Sequence, residues 1–359
     1  MRRALALAAQ GDYRVHPNPK VGAVLVKDGQ VLAEGYHAAC GGPHAEAAAL
    51  SQVTPEAARG ATAYVTLEPC AAFPGKRTPP CSEALIRAGV ARVVVGAEDP
   101  NPGVRGTGLT ALRAAGIEVQ SGVLAREARL LNQPFAKWMQ QGRPYVTAKW
   151  AMSLDGKIAA HTGHARWISG PESRAEVHRL RGEVDAVLVG ATTALVDDPL
   201  LTRRDVPGRD PARVVVDARG RLPLDSQLVG TAAEHPLVWC VGRDVDARDH
   251  AARGVDVAAL DPAPSGGLDP EAVLAALAAR DLRHVLVEGG GTLLGAWLDA
   301  GAIDALVVHV APLLIGNAGS PGPLGGQGVE RVDLAARLIA LEVTRRGVDV
   351  ELRGLLREY

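Results

Sequence analysis

The stretch Pro43-His44-Ala45-Glu46, taken with Glu68-Pro69-Cys70 and Pro79-Pro80-Cys81 downstream, offers one imidazole, two thiols and two carboxylates. Four protein ligands close a zinc site and serve structure, whereas three leave a position open for water and chemistry. Zinc lowers the pKa of bound water toward neutrality, and a neighbouring carboxylate takes up that proton and later delivers it. His44, Cys70 and Cys81 therefore read as metal ligands and Glu46 as the proton carrier. Two ordinary buried thiols are the competing reading of the cysteines. The prolines before both of them and the nearby H-x-E favour a metal. Cys40, just before this set, reads as a small buried residue rather than a ligand.

H-x-E followed by P-C-x-x-C is the signature of zinc deaminases. Here the first half is intact, while residues 71–80 separate the two cysteines, so one metal requires that loop to fold back. Outward from the ligands, local patterning places His44 at the start of an Ala-rich helix (45–50), Cys70 just past a strand (61–67) and Cys81 at the start of a helix (82–88) stopped by Gly89. Helix starts suit such ligands, because exposed N–H groups and the helix dipole favour thiolate over thiol. Strands at 21–26 and 31–34 flank Asp28-Gly29, a tight-turn dipeptide, after an N-terminal helix ended by Gly11. Strand and helix segments at 93–96, 109–115 and 117–119 continue the alternation, which argues for an α/β layered domain.

A predicted helix over 125–139 leads to Gln141-Gly142-Arg143-Pro144, a Gly/Pro break that sets the domain boundary between 143 and 144. The second half alternates again, with strands near 145–150, 186–190, 214–217, 238–241, 285–287 and 306–310 and a loop at 261–267. At 359 residues the chain is long for one domain, and its 47% apolar content can fill two cores. Net charge is -1 and aromatics are 3%, which argues against nucleic acid as a partner. Four cysteines do not make a disulfide scaffold. No apolar run reaches the ~18 residues of a membrane span, and the N-terminal Met1-Arg2-Arg3 and its short apolar run lack a cleavage-site pattern. The expectation is a cytoplasmic protein with no membrane partner.

The second half carries weaker signals. Glu288-Gly289-Gly290-Gly291-Thr292 joins a strand to a helix, a turn that can bring N–H groups to a phosphate or can simply need glycine for positive φ. Gly190-Ala191-Thr192-Thr193 leads in the same way to Asp197-Asp198-Pro199. Arg181 and Arg204 could clamp a phosphate. Lys149, in a strand among apolar neighbours, either snorkels at an edge or belongs to a site.

Asn18-Pro19-Lys20-Val21-Gly22, His44-Ala45-Glu46, Thr66-Leu67-Glu68-Pro69-Cys70, Arg77-Thr78-Pro79-Pro80-Cys81 and Asp99-Pro100-Asn101-Pro102 resemble the deaminase half of the bifunctional RibD family of riboflavin biosynthesis. Ser153-Leu154-Asp155-Gly156-Lys157-Ile158, Arg166-Trp167-Ile168, Asp197-Asp198-Pro199 and Val287-Glu288-Gly289-Gly290 resemble its reductase half. The resemblance implies a cytidine-deaminase-like α/β/α layered domain at 1–143 and a dihydrofolate-reductase-like α/β domain at 144–359. It implies zinc-dependent hydrolytic deamination of a phosphoribosylamino-pyrimidine, then NADPH-dependent reduction of the ribosyl chain, in a homo-oligomer. Asn18 would contact the pyrimidine. Ala151, Trp167, Thr193, Asp197 and the run Gly290, Gly291, Thr292, Leu293, Leu294, Gly295, Ala296 would contact NADPH. Lys149, Arg181, Leu201, Arg204 and Glu288 would contact the substrate. The family's substrate-contacting His between the cysteines is missing here, and Lys76 or Phe73 is expected to supply part of that contact. The alternative is a deaminase half impaired by this altered loop, leaving reductase or nucleotide-binding function only.

Overall fold

The computed structural model describes residues 1–72, 79–263 and 266–359. They form two compact units, Met1–Gly142 together with Tyr359, and Arg143–Glu358.

In the first unit the helix α1 (Arg2–Ala8) precedes a hairpin of β1 (Gly22–Lys27) and β2 (Gln30–Tyr36). Its turn places Asp28 at φ 52° and Gly29 at φ 77°, the pair of positive angles that a two-residue turn between twisted strands needs. Then come α2 (Ala45–Leu50), α3 (Pro55–Ala58), β3 (Thr62–Leu67), α4 (Cys81–Ala88), β4 (Arg92–Ala97), α5 (Thr107–Ala114), β5 (Glu118–Gln120), α6 (Ala125–Leu130) and α7 (Gln133–Gln141). The strand order is β2-β1-β3-β4-β5, antiparallel between β1 and its two neighbours and parallel from β3 to β5. Ala45 and Ala49 of α2 are fully buried with Ala23, Val65, Val93 and Leu85, so small side chains bring α2 close to the sheet. The helix expected over 125–139 is two helices. Pro134 lacks the N–H a continuous helix would use, and it sits in the first turn of α7 instead.

The second unit runs β6 (Tyr145–Ser153), α8 (Pro171–Glu183), β7 (Ala186–Gly190), α9 (Ala191–Asp197), β8 (Ala212–Asp217), α10 (Gln227–Gly230), β9 (Leu237–Gly242), α11 (Arg248–Ala252), β10 (Asp256–Leu260), α12 (Pro270–Ala278), β11 (His284–Gly289), α13 (Gly291–Asp299), β12 (Ala305–Ala311), β13 (Ala340–Arg346) and β14 (Asp349–Leu355). Its sheet has the order β10-β9-β8-β7-β11-β6-β12-β14-β13. All pairs from β10 to β12 are parallel, and β14 and β13 add antiparallel strands at one end. Both faces are buried, as parallel sheets require. Leu188, Val214 and Val287 pack with Leu274 and Trp297 on one side, and Val187, Val215 and Leu286 with Leu180 of α8 and the following Val184 on the other. Three strands, β10, β13 and β14, lie beyond those expected from sequence. The chain skips from β6 to β7 and returns later to fill the gap with β11, which makes a crevice at the carboxyl ends of these strands the natural ligand position.

Candidate functional site

His44 caps the N-terminus of α2, Cys70 lies three residues past β3, and Cys81 opens α4. Their ligating atoms all lie within 4.8 Å of one another, and among the described residues this is the one such group of three or more His, Cys, Asp or Glu. His44 Nδ1 is 3.5 Å from Cys70 Sγ and 3.3 Å from Cys81 Sγ. The start of α4 also holds Cys70: the Cys81 N–H points at its sulfur (3.4 Å), and the Ser82 N–H and hydroxyl donate to its carbonyl (both 3.1 Å). One nitrogen and two sulfurs suit zinc, which in catalytic sites takes its fourth ligand from water.

Glu46, in the first turn of α2, is 3% exposed. Burial, then the Cys70 charge, lifts its carboxyl to about 7, the range in which a group both takes and gives protons near neutrality. The Cys81 thiol is driven far upward by its hydrogen bond with Cys70 and by burial. A bound cation reverses that preference, since metal-coordinated thiols are deprotonated.

Asn18 stands beside a histidine that sequence reasoning did not single out. His37 is buried, and its Nδ1 is 2.9 Å from the Pro43 carbonyl, which can only accept. Nδ1 therefore carries the proton and Nε2 accepts from the Asn18 amide at 3.1 Å. Burial lowers the His37 pKa, in keeping with a neutral ring. Asn18 is thus oriented through its nitrogen, leaving the amide oxygen as the acceptor it offers. No spacing rule points to His37; only the return of β2 toward the turn at Pro43 does. Cys40, expected to be buried, is exposed. It lies in the loop after β2, where its backbone N–H is engaged by the Arg14 carbonyl and no core element covers its side chain. Lys76 and Phe73 lie outside the described residues.

In the second unit Thr193 follows the carboxyl end of β7, Glu288 lies near that of β11, and Lys149 and Ala151 lie within β6. Arg181 of α8 meets Glu288 of β11 through two parallel bonds, Nε to Oε1 at 2.6 Å and Nη2 to Oε2 at 2.7 Å. Its third nitrogen donates to the Thr202 carbonyl at 3.0 Å, which anchors the segment carrying Leu201 and Arg204. Both of these have positive φ, 55° and 57°; Leu201 is buried and Arg204 exposed. The β7–β11 register shifts between Val287 and Gly289, so Glu288 sits at an irregularity of the strand. Burial raises the Glu288 pKa, but the Arg181 charge and bond, with Lys149, outweigh it and hold the carboxyl below its ordinary value. For Lys149, burial lowers the ammonium's pKa more than Glu288 raises it.

Thr193, in the first turn of α9, touches the α13 N-terminus: a Cβ on Gly290 would lie 3.3 Å from its hydroxyl. Gly289, at φ 124°, is in a region that only glycine enters freely. Gly290, Gly291, Thr292 and Leu293 then form the head of α13, where N–H groups lack intrahelical partners. Leu294 is in the core, Gly295 is buried and Ala296 exposed. A Cβ on Gly295 would meet the Gly326 nitrogen at 2.0 Å, so residues 325–326 lie directly on this helix. Ala151 is half-buried in β6. Trp167 is exposed, with the Arg174 guanidinium 4.8 Å from its ring centre, and the Arg166 guanidinium bonds the Asp197 carbonyl at 3.1 Å. The head of α13 and its glycines suit the phosphates of a nucleotide cofactor.

Two supports were not foreseen as such. Asp155 accepts from the Ser153 hydroxyl (2.5 Å) and the Ile315 and Gly316 N–H groups (3.1 and 2.7 Å), tying the loops after β6 and β12 together. His309, in register with Ala151, is fully buried and bonds Glu351 at 3.1 Å.

Residues 144–352 match the RibD C-terminal domain, and residues 1–97 the cytidine and deoxycytidylate deaminase zinc-binding region. Curated relatives include the riboflavin biosynthesis protein RibD of Aquifex aeolicus, 44% identical over 92% of this chain and 91% of that protein. That of Escherichia coli is 40% identical over 98% and 96%. Among solved structures, Acinetobacter baumannii RibD is 38% identical with a TM-score of 0.83, covering 99% of this chain and 97% of its own. A Thermotoga maritima diaminohydroxyphosphoribosylaminopyrimidine deaminase/5-amino-6-(5-phosphoribosylamino)uracil reductase is 36% identical with the same TM-score and coverage.

Proposed function

The chain belongs to the RibD family of bifunctional deaminase and reductase enzymes of riboflavin biosynthesis, and from this we propose a substrate, a cofactor and a residue set for each step. Residues 1–143 carry the deaminase. Its substrate is 2,5-diamino-6-(5-phosphoribosylamino)pyrimidin-4-one, which loses its 2-amino group as ammonia. Residues 144–359 carry the reductase, which uses NADPH to convert the ribosyl side chain of the resulting uracil to ribityl. The observation that carries the first assignment is the meeting of His44, Cys70 and Cys81 beside the buried Glu46.

When bound at these three ligands, zinc brings a water molecule's acidity near neutrality. Glu46 would take up a proton at this site and deliver one to the departing amino group. Asn18, oriented by His37, accepts from the pyrimidine, and Lys76 supplies a further contact. In the reductase half, NADPH provides the hydride. The N–H groups of Gly290, Gly291, Thr292 and Leu293 would hold its phosphates, with Leu294, Gly295 and Ala296 completing the turn and Ala151, Trp167, Thr193 and Asp197 as further contacts. Arg181, Leu201, Arg204 and Glu288 hold the substrate, and Lys149 serves its reacting ribosyl end.

A reducing, cytoplasmic setting fits cysteine ligands at a metal site; among the described residues no helix is long and apolar enough to cross a membrane. A homo-oligomer is supported by the exposed Leu341, Val343, Val348 and Val350 on and beside β13 and β14, an apolar strip at the end of the sheet.

Metal analysis with turnover of the diaminopyrimidine tests this reading. Glu46→Gln should keep its zinc and its reductase rate on the deaminated substrate while deamination falls about 10²–10⁴-fold. Retained deamination, or wild-type protein without zinc, would overturn it.

A further inference from the structure

Glu68 joins β3 to the zinc-ligand segment, and no step above uses it. It is 5% exposed and gives both oxygens to backbone donors. Oε2 accepts from the N–H groups of Asp99 (3.1 Å) and Gly106 (2.9 Å), and Oε1 from those of Gly108 (3.0 Å) and Leu109 (3.4 Å). Three of these donors belong to the start of α5, where N–H groups have no partner in the helix and the dipole favours an anion. Bonds to an ionised acceptor are roughly twice as strong as neutral ones.

A second observation joins the same elements. A Cβ on Gly108 would meet the Pro69 carbonyl oxygen at 1.9 Å, so α5 lies against the peptide that leads into Cys70. Between the anchoring donors runs a loop that is closed on itself: Asn101 N–H bonds Asp99 Oδ1 at 2.9 Å, and Gly103 N–H bonds Asn101 Oδ1 at 3.0 Å. The Glu68 N–H in turn donates to the Ala97 carbonyl at 2.9 Å, so the beginning of this loop is tied to the residue two before Cys70 through both backbone and side chain. Cys70 itself is held from the other side, by Cys81 and Ser82 of α4. One set of contacts therefore holds the ligand and another holds the loop.

We propose that Glu68 is a positioning residue for deamination: it pins the loop 99–106 beside the metal ligands, where that loop forms one wall of the pyrimidine site, and it acts through the loop rather than through the metal. The proposal rests on the zinc-deaminase reading of the first unit.

Glu68→Gln and Glu68→Asp in the full-length chain test it, read by zinc per chain, deaminase kcat and KM, and reductase rate. Glutamine keeps the shape but sets an amide NH₂ against two backbone donors. The expected result is wild-type zinc and reductase rate, a deaminase KM raised about tenfold or more with kcat changed far less, and partial recovery in Glu68→Asp, which keeps the charge. An unchanged KM overturns the proposal, as does zinc lost in parallel with activity. If the glutamine variant loses the reductase as well, and so fails to fold, the aspartate variant decides by the same criteria. Failure of the zinc reading would show separately, in wild-type protein that lacks zinc or a Glu46→Gln variant that still deaminates.

Discussion

At Arg181 and Glu288 two opposite charges leave water, with side chains 13% and 9% exposed. Removing one partner of such a pair strands the other charge in a site of low polarity. Arg181→Ala should lower the unfolding free energy of the second unit by about 3–5 kcal/mol, whereas the double variant Arg181→Met/Glu288→Gln should lose much less; urea denaturation of the three proteins checks both. Sequence reading had singled out both residues but not as partners, because the β7–β11 pairing and the α8 packing that join them are long-range. The candidate metal ligands were legible for the opposite reason: H-x-E and two Pro-Cys pairs are short patterns, tied to the starts of α2 and α4 and to the end of β3. His37, Glu68 and His309 escaped notice because their roles come from a carbonyl, four backbone N–H groups and a partner strand, none of which leaves a mark in spacing.

Among elements, α13 shows how little room a helix packed on glycine backbone can have. With Gly295 packed on Gly325 and Gly326, and the Gly325 N–H bonded to the Gly291 carbonyl at 2.9 Å, a methyl group at 295 meets backbone that cannot rotate aside. Gly295→Ala should cost about 1–3 kcal/mol by overpacking and should raise the KM for NADPH while the deaminase rate stays at the wild-type value. Steady-state kinetics of both steps on one preparation would show this, and an unchanged NADPH KM would refute it. Elements with apolar runs were the readable ones: α2 spans 45–50 and β7 spans 186–190, as expected. The strands β13 and β14 interleave apolar with polar or charged residues, Leu341-Glu342-Val343-Thr344 and Val350-Glu351-Leu352-Arg353, and a search for apolar runs passes over them. The turn at Gly347, φ 60°, was the available signal.

For the whole molecule, the charged groups beneath α8 tie stability to pH. Burial holds His309 below its ordinary value of 6.5, so its contact with Glu351 is a hydrogen bond from a neutral ring. Burial opposes ionisation of Glu351, but bonds from Arg353 and Arg346 prevail and hold it at about 2, against an ordinary 4.5. In both cases the unfolded chain binds a proton that the native chain refuses, so stability falls as pH falls. His309 contributes to this loss from 6.5 downward, and Glu351 from 4.5 toward 2. Calorimetry across that range should show the second unit's transition moving down in both windows, and Glu351→Gln should flatten the lower one. Composition and the Gly142-Arg143-Pro144 break had indicated two α/β parts; the sheet order within the second is what a linear pattern cannot express. That order carries a cost in time. Strand β11, residues 284–289, fills a slot between β6 and β7 that stays empty while β8, β9 and β10 leave the ribosome. The growing chain therefore carries two unmatched strand edges for a long interval, and non-local pairings of this kind are slow to form and open to aggregation. The first unit, complete by residue 142 except for Tyr359, bears no such delay, so the slow pairing during synthesis falls on the second unit.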